Sequence, residues 1–192
     1  MAERNGREAW PPEVSEQMRE VDRLRRRGRY ASALALIRQL AEAYPRQVRI
    51  LSEMGQTLGI WGGAPAQALV IHMKRAESLA ALGRDMEAER DWTLAVDEDP
   101  GNPWLLQQRA GARARQGRLE SAVKDLTEAL ATQEGEDVDP ELLLERGRLR
   151  GRLGDWDGAR ADFEAGLAAL REGDSPELLD ALRAGMAESA RR

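Results

Sequence analysis

The chain has 192 residues, 42% of them hydrophobic and 33% charged, with a formal net charge of −5. That length suits one compact domain or one short solenoid, and the acidic balance argues against non-specific binding to nucleic acid or anionic membranes. Without cysteine, the chain has no disulfides, thiolate metal sites or cysteine nucleophiles.

β-Branched residues are scarce beside Ala, Leu, Glu and Arg, a profile that favours an all-α fold. The opening MAERNGREAW lacks the apolar core of a signal peptide. No apolar run approaches the roughly 18 residues of a membrane span. The expected compartment is therefore the cytoplasm. Lysine occurs only at Lys74 and Lys124, so arginine supplies nearly every cation and an isolated arginine carries little functional weight.

Residues 1–11 read as a polar arm, with Trp10 placed to fold back on the first helices. Pro12 suits the first turn of a helix, and Val14, Met18, Val21 and Leu24 recur at the spacing of one buried stripe. Gly28 ends that helix. A second, from Arg29 to Tyr44, carries Ala33, Leu34, Ile37, Leu40 and Ala41 before Pro45, so residues 12–45 form a first hairpin. In residues 46–68, Val48, Leu51, Met54 and Leu58 make one amphipathic helix, ended by the glycines from Gly59 to Gly63 and by Pro65. There is room for one helix and not two. The segment reads as a degenerate half-repeat or a hinge.

From Leu69 the spacing becomes regular, in units 69–102, 103–136 and 140–173. The first turns at Gly83 and ends near Asp97. The second has Asn102 as N-cap and Pro103 behind it, turns at Gly117 and ends near Thr132. After an acidic connector, Glu134 to Asp139, the third opens at Asp139-Pro140, turns at Gly154-Asp155 and ends near Leu170. Residues 174–192, with Ser175 capping a helix behind Pro176, fit a terminal helix that shields the last open face.

Each regular unit places an arginine sixteen residues before an aspartate, with the turn glycine between: Arg75 and Asp91, Arg109 and Asp125, Arg146 and Asp162. Antiparallel packing would set the two side by side, as an ion pair within the hairpin or as arginines available to a ligand. An alanine follows each glycine by five residues (Ala88, Ala122, Ala159), and a bulky residue follows it by nine (Trp92, Leu126, Phe163). A small residue stands three further on, at Ala95, Ala129 and Gly166. One unit copied several times is the mark of a repeat architecture.

These positions, in ALGRDMEAERDWTLAVDEDP, RQGRLESAVKDLTEALA and RGRLRGRLGDWDGARADFEAGL, with a looser copy in RRGRYASALALIRQLAEAYP, resemble the tetratricopeptide repeat. The resemblance covers residues 14–45 and 69–173. It implies a short right-handed α-solenoid of stacked antiparallel hairpins that binds other proteins. The chain departs from the family pattern where its regular first helices lack the usual large aromatic side chains and where the half-repeat breaks the phase.

In that family the first helices of successive hairpins line a concave groove. The resemblance therefore implies a lining of Met18, Asp22 and Arg26, then Met73, Lys74 and Glu77. Trp104, Gln107, Gln108 and Arg115 would follow, and then Glu141, Leu144, Glu145, Arg148 and Arg152. Trp104 is either a peptide anchor or packing against the preceding hairpin. Arg26, Arg115 and Arg152 share a repeat position, with Arg148 a turn away, which suits a partner with acidic residues or a free C-terminal carboxylate. Relatives that bind chaperone tails use a lysine/asparagine clamp. Its positions here hold Met73, Glu77, Gln108, Glu141 and Glu145, which disfavours that ligand.

The densest basic run, Asp22 to Tyr30 with Arg25, Arg26 and Arg27, suits the negative end of a helix dipole. Its alternative use is nucleic-acid binding through Arg23–Arg29, for which the stripe is short and lacks stacking aromatics. His72, the single histidine, has no triad or metal-ligand spacing around it, and no phosphate loop, zinc motif or nucleophile elbow is present. The expectation is a non-enzymatic adaptor without cofactor, serving alone or as a subunit or assembly factor of a larger complex. A peptide-sensing regulator is a further alternative.

Overall fold

The computed structural model describes Trp10 and residues 12–44, 47–61, 65–133 and 138–191. The rest of the polar arm, Pro45, the glycines Gly62 and Gly63, and connector residues 134–137 lie outside the described residues. Ten helices and no strand occur among those described: α1 (Pro12–Arg26), α2 (Tyr30–Ala43), α3 (Val48–Trp61), α4 (Pro65–Ala81), α5 (Asp85–Glu98), α6 (Pro103–Arg115), α7 (Leu119–Ala131), α8 (Pro140–Arg152), α9 (Trp156–Ala169) and α10 (Pro176–Ser189). They stack as antiparallel hairpins, α1–α2, α4–α5, α6–α7 and α8–α9, with α3 single between the first two and α10 against α9 and α8.

Local chemistry sets the helix ends. Asn102 accepts from the backbone N–H of Trp104 and Leu105, Asp139 from that of Glu141, and Ser175 from that of Leu178. Each satisfies donors that the first helical turn leaves without partners. Proline follows each of these caps, where its missing N–H costs nothing. The turns of the three regular hairpins share one geometry. Gly83, Gly117 and Gly154 take φ of +71°, +76° and +82°, a region where glycine carries no Cβ penalty. The N–H beyond each then reaches back to the last helical turn, as from Arg118 to the Arg113 carbonyl at 2.9 Å.

One boundary differs from the sequence expectation. The first helix of the regular array begins at Pro65 and not at about Leu69. Pro65 opens α4 where a helix end was expected, and α3 continues past Gly59 to Trp61. Proline is as compatible with a first turn as it is with a stop, so the residue alone leaves the choice open.

The core is a chain of linked clusters. Val14, Met18, Val21, Ala33, Ile37 and Ile50 bury one between α1, α2 and α3, and Trp10 packs on it beneath the Arg49 guanidinium, 4.0 Å from the ring centroid. The largest runs from α4 to α8 around Trp92, Leu105, Leu106 and Leu126. The last joins α8, α9 and α10 through Leu144, Phe163, Leu178 and Leu182. Ala76, Ala88, Ala95, Ala110, Ala122 and Ala129 are fully or almost fully buried, and their small size lets the paired helices approach. No single hairpin could bury these faces; stacking supplies the core.

Candidate functional site

Antiparallel packing brings each spaced pair together. Arg109 donates from Nε and Nη2 to the two carboxylate oxygens of Asp125 at 3.1 and 2.8 Å. Arg146 does the same to Asp162 at 3.0 and 2.6 Å. Arg75 donates from Nε to Asp91 at 2.6 Å and from Nη2 to its other oxygen. The three aspartates are buried, and bidentate pairing supplies what their desolvated charge requires.

Two of these pairs carry a second arginine that the sixteen-residue spacing does not contain. Arg113 reaches Asp125 at 2.7 Å, and Arg150 reaches Asp162 at 3.0 Å. Each stands four residues after the first arginine, on the same helix face, so its recurrence is readable in the sequence. The first unit has Leu79 there, and His72 instead lies 3.7 Å from Asp91. Arg113 also binds Glu89 of the preceding hairpin at 2.9 Å, and Arg118 binds it at 2.6 Å. Burial works against the Glu89 charge, but hydrogen bonds from Arg113 and Gln116 and the charge of Arg118 outweigh it, and the carboxyl sits below its ordinary range.

The expected groove residues divide into groups. Lys74 and Glu77 pair with each other at 3.0 Å on α4, beside a partly buried Met73. Trp104 is 41% exposed, yet its ring stands edge-on to Trp92, centroids 5.5 Å apart. It therefore packs on the preceding hairpin and faces solvent as well. Gln107 on α6 donates to Glu145 on α8 at 3.1 Å, joining two first helices along one face on which Gln108 is half-buried and Glu141 exposed. Arg115, itself exposed, pairs with Asp85 of the preceding hairpin at 2.6 Å. Arg26 and Asp22 lie at the exposed end of α1.

Two assignments need correction. Leu144 is only 7% exposed, packed with Phe163, Leu178 and Leu182, because α10 covers that part of α8. Met18 is 5% exposed beneath α2 and α3. Neither lines a groove. The basic run is also partly committed: Arg25 donates to Thr57 at 2.8 Å and to Glu53 at 2.9 Å, clamping α1 to α3.

Glu145 is the perturbed acid of this face. Burial pushes its carboxyl above the usual range, the Gln107 hydrogen bond works the other way, and the charges of Glu141 and Asp139 reinforce the rise. A carboxyl with a raised folded pKa binds more protons in the folded state. Its ionisation therefore costs stability as pH climbs from the unfolded value through the folded one. Glu145→Gln removes that cost and keeps a partner for Gln107. In urea titrations the variant should match the wild type near about pH 4 and exceed it increasingly towards about pH 7; a pH-independent difference would contradict the assignment.

Arg148 and Arg152 stand apart from the other arginines of α6 and α8. Both are exposed and neither makes an ion pair within 4 Å among the described residues, although the charge of Arg148 acts on Glu145; Arg109, Arg113, Arg115, Arg146 and Arg150 all make such pairs. They flank a cavity of about 390 Å³ between α8, α9 and α10, with Trp156 and Phe163 among its walls and Ala184, Gly185 and Glu188 on the α10 side. A second cavity of about 500 Å³ beside α5 has Glu89 and Arg118 in its lining, already bound to each other. Among the described residues no cluster of acids and histidine could hold a metal ion, and no helix is long and apolar enough to cross a membrane.

Comparison with known proteins agrees with this architecture. A model of the tetratricopeptide repeat matches residues 18–58 and 108–175, more than half of the chain. A tetratricopeptide repeat and J domain-containing co-chaperone, DNJ1 of Fusarium oxysporum f. sp. lycopersici, is 30% identical over 119 residues, 62% of this chain. The chain spans only 22% of that relative's length. The first TPR of Spaghetti (RPAP3), bound to the HSP90 peptide SRMEEVD, is 26% identical with a TM-score of 0.54, covering 65% of this chain and 94% of that one. A thermophilic TPR protein of Thermus thermophilus shares the fold over 92% of this chain and 98% of its own, at 23% identity and a TM-score of 0.51.

Proposed function

Because the chain belongs to the tetratricopeptide-repeat family, whose repeats serve protein–protein interaction, we propose that it is a non-enzymatic adaptor. It holds an acidic segment of a partner protein on the face formed by the first helices α4, α6 and α8 and the terminal helix α10. Arg148 and Arg152 capture the carboxylates. The observation that carries this reading is the contrast among arginines: those of α6 and the rest of α8 are spent on internal carboxylates, and these two are left at the surface beside a cavity.

The RPAP3 relative, bound to a peptide ending in EEVD, supports an acidic C-terminal segment as the partner class. The residues that would hold the acid here are different. The clamp positions of chaperone-tail binders carry Met73, Glu77, Gln108, Glu141 and Glu145, three of them acids, so the carboxylates belong further along α8, at Arg148 and Arg152. Trp104 supplies an exposed apolar contact at the other end of the face.

Isothermal titration with SRMEEVD, as free acid and as C-terminal amide, tests this. Wild type should bind with an affinity that falls as salt is raised. Arg148→Glu/Arg152→Glu should weaken it at least about tenfold, since hydrogen bonds to charged groups contribute roughly 1.5–3 kcal/mol each. Equal affinity of wild type and double variant would remove these arginines from the site.

A further inference from the structure

The cavity beside the two arginines has a shape that capture of charge does not require. Gly151 lies against the Trp156 ring, where an added Cβ would come within 3.1 Å of a ring carbon. Across the cavity, Gly185 lies against Phe163, where a Cβ would come within 2.6 Å. Ala184 is exposed and adds only a methyl group on the α10 side. The rings of Trp156 and Phe163 thus occupy the space that a side chain at Gly151 or Gly185 would need, and the recess that remains is walled by those rings, glycine backbone and alanine methyl groups. The volume, about 390 Å³, falls in the range of roughly 300–1,000 Å³ typical of ligand clefts. An apolar recess bordered by two exposed guanidinium groups fits a side chain more than it fits a bare anion.

We infer that this recess is a specificity slot for one large apolar side chain, aromatic or branched aliphatic, next to acidic residues in the bound segment. This rests on the groove reading above and adds to it the identity of the anchoring residue. Charge fixes which way the segment lies. Arg148 and Arg152 border the slot on α8, and Glu188 borders it on α10, so carboxylates flanking the anchor are drawn over α8 and repelled from α10. The anchor points between the helices, towards Trp156 and Phe163. The slot is built from the last hairpin and the terminal helix, so α10 acts as one wall of the site as well as the cover of the core.

Fluorescence anisotropy with two labelled peptides tests this. Both consist of Asp, Glu and Ser residues; one carries a central Phe and the other Ala at that place. Wild type should bind the Phe peptide at least about tenfold more tightly, as expected for burying such a side chain. Ala184→Trp, which fills the slot from an exposed position, should erase the preference and leave the weaker Ala-peptide binding in place. Arg148→Glu/Arg152→Glu should weaken both peptides alike. Ala181→Leu, on the same wall, gives a second filling variant, and circular dichroism melts establish that each variant is folded. A wild type indifferent to Phe or Ala, or a preference that survives both filled slots, overturns the inference while leaving arginine capture standing. Failure of wild type to bind either peptide overturns the inference and the groove reading together.

Discussion

Asp125→Ala will be the most damaging single change to a charged residue, lowering unfolding free energy by about 3–5 kcal/mol. Asp125 is buried and receives both Arg109 and Arg113. Those side chains are themselves only 12% and 16% exposed. Removing the carboxylate leaves two guanidinium groups in a desolvated position, and Arg113 retains only Glu89. Most of the loss comes from that stranded charge, not from the worth of the pair. Guanidinium chloride titrations of Asp125→Leu and of Asp125→Leu/Arg109→Leu/Arg113→Leu separate the two contributions. The triple variant should recover much of the stability lost by the single one at unchanged denaturant slope. A single-variant loss below about 1 kcal/mol would place the cluster with ordinary surface ion pairs.

Phe163→Ala should cost a similar amount, about 3–5 kcal/mol, the usual range for removing a buried aromatic side chain. The ring is 4% exposed at the meeting of α8, α9 and α10, in contact with glycines on both sides: a Cβ at Gly147 or Gly185 would each come within 2.6 Å of it. The effect should be local as well as large, because a solenoid transmits contacts only between neighbours. Hydrogen exchange should show α10 losing protection first, with α6 and α7 retaining theirs. Uniform loss along the chain would contradict that separation. The complementary change, Gly185→Leu, overpacks the same point and should cost roughly 1–3 kcal/mol.

The architecture is legible in the sequence because helical hairpins announce themselves locally. A turn glycine, a small residue at a close-contact position and a capped proline each act within a few residues, and their period recurs. Arg109 and Asp125 fall opposite each other by the same reasoning, since sixteen residues around a tight turn return the chain to the same level. What the sequence hides depends on neighbours beyond one hairpin. Leu144 has a groove register, but α10 covers it. Arg115 has a rim register, but Asp85 of the preceding hairpin engages it. Pro65 reads as a stop and is a start. The recess beside Arg148 and Arg152 is walled in part by small residues, Gly151, Ala184 and Gly185 among them, and small residues carry no sequence signal that they line a cavity.

On the proposed reading a partner's acidic groups lie over α8, at Arg148 and Arg152, with α10 as the facing wall. The most direct test is an NMR titration of the labelled protein with the acidic Phe peptide. Amide shifts should concentrate on Arg148, Gly151, Arg152, Ala184, Gly185 and Glu188 and be absent with Arg148→Glu/Arg152→Glu. Shifts concentrated on α5 and α7, or shifts that persist unchanged in the charge-reversed variant, would contradict it.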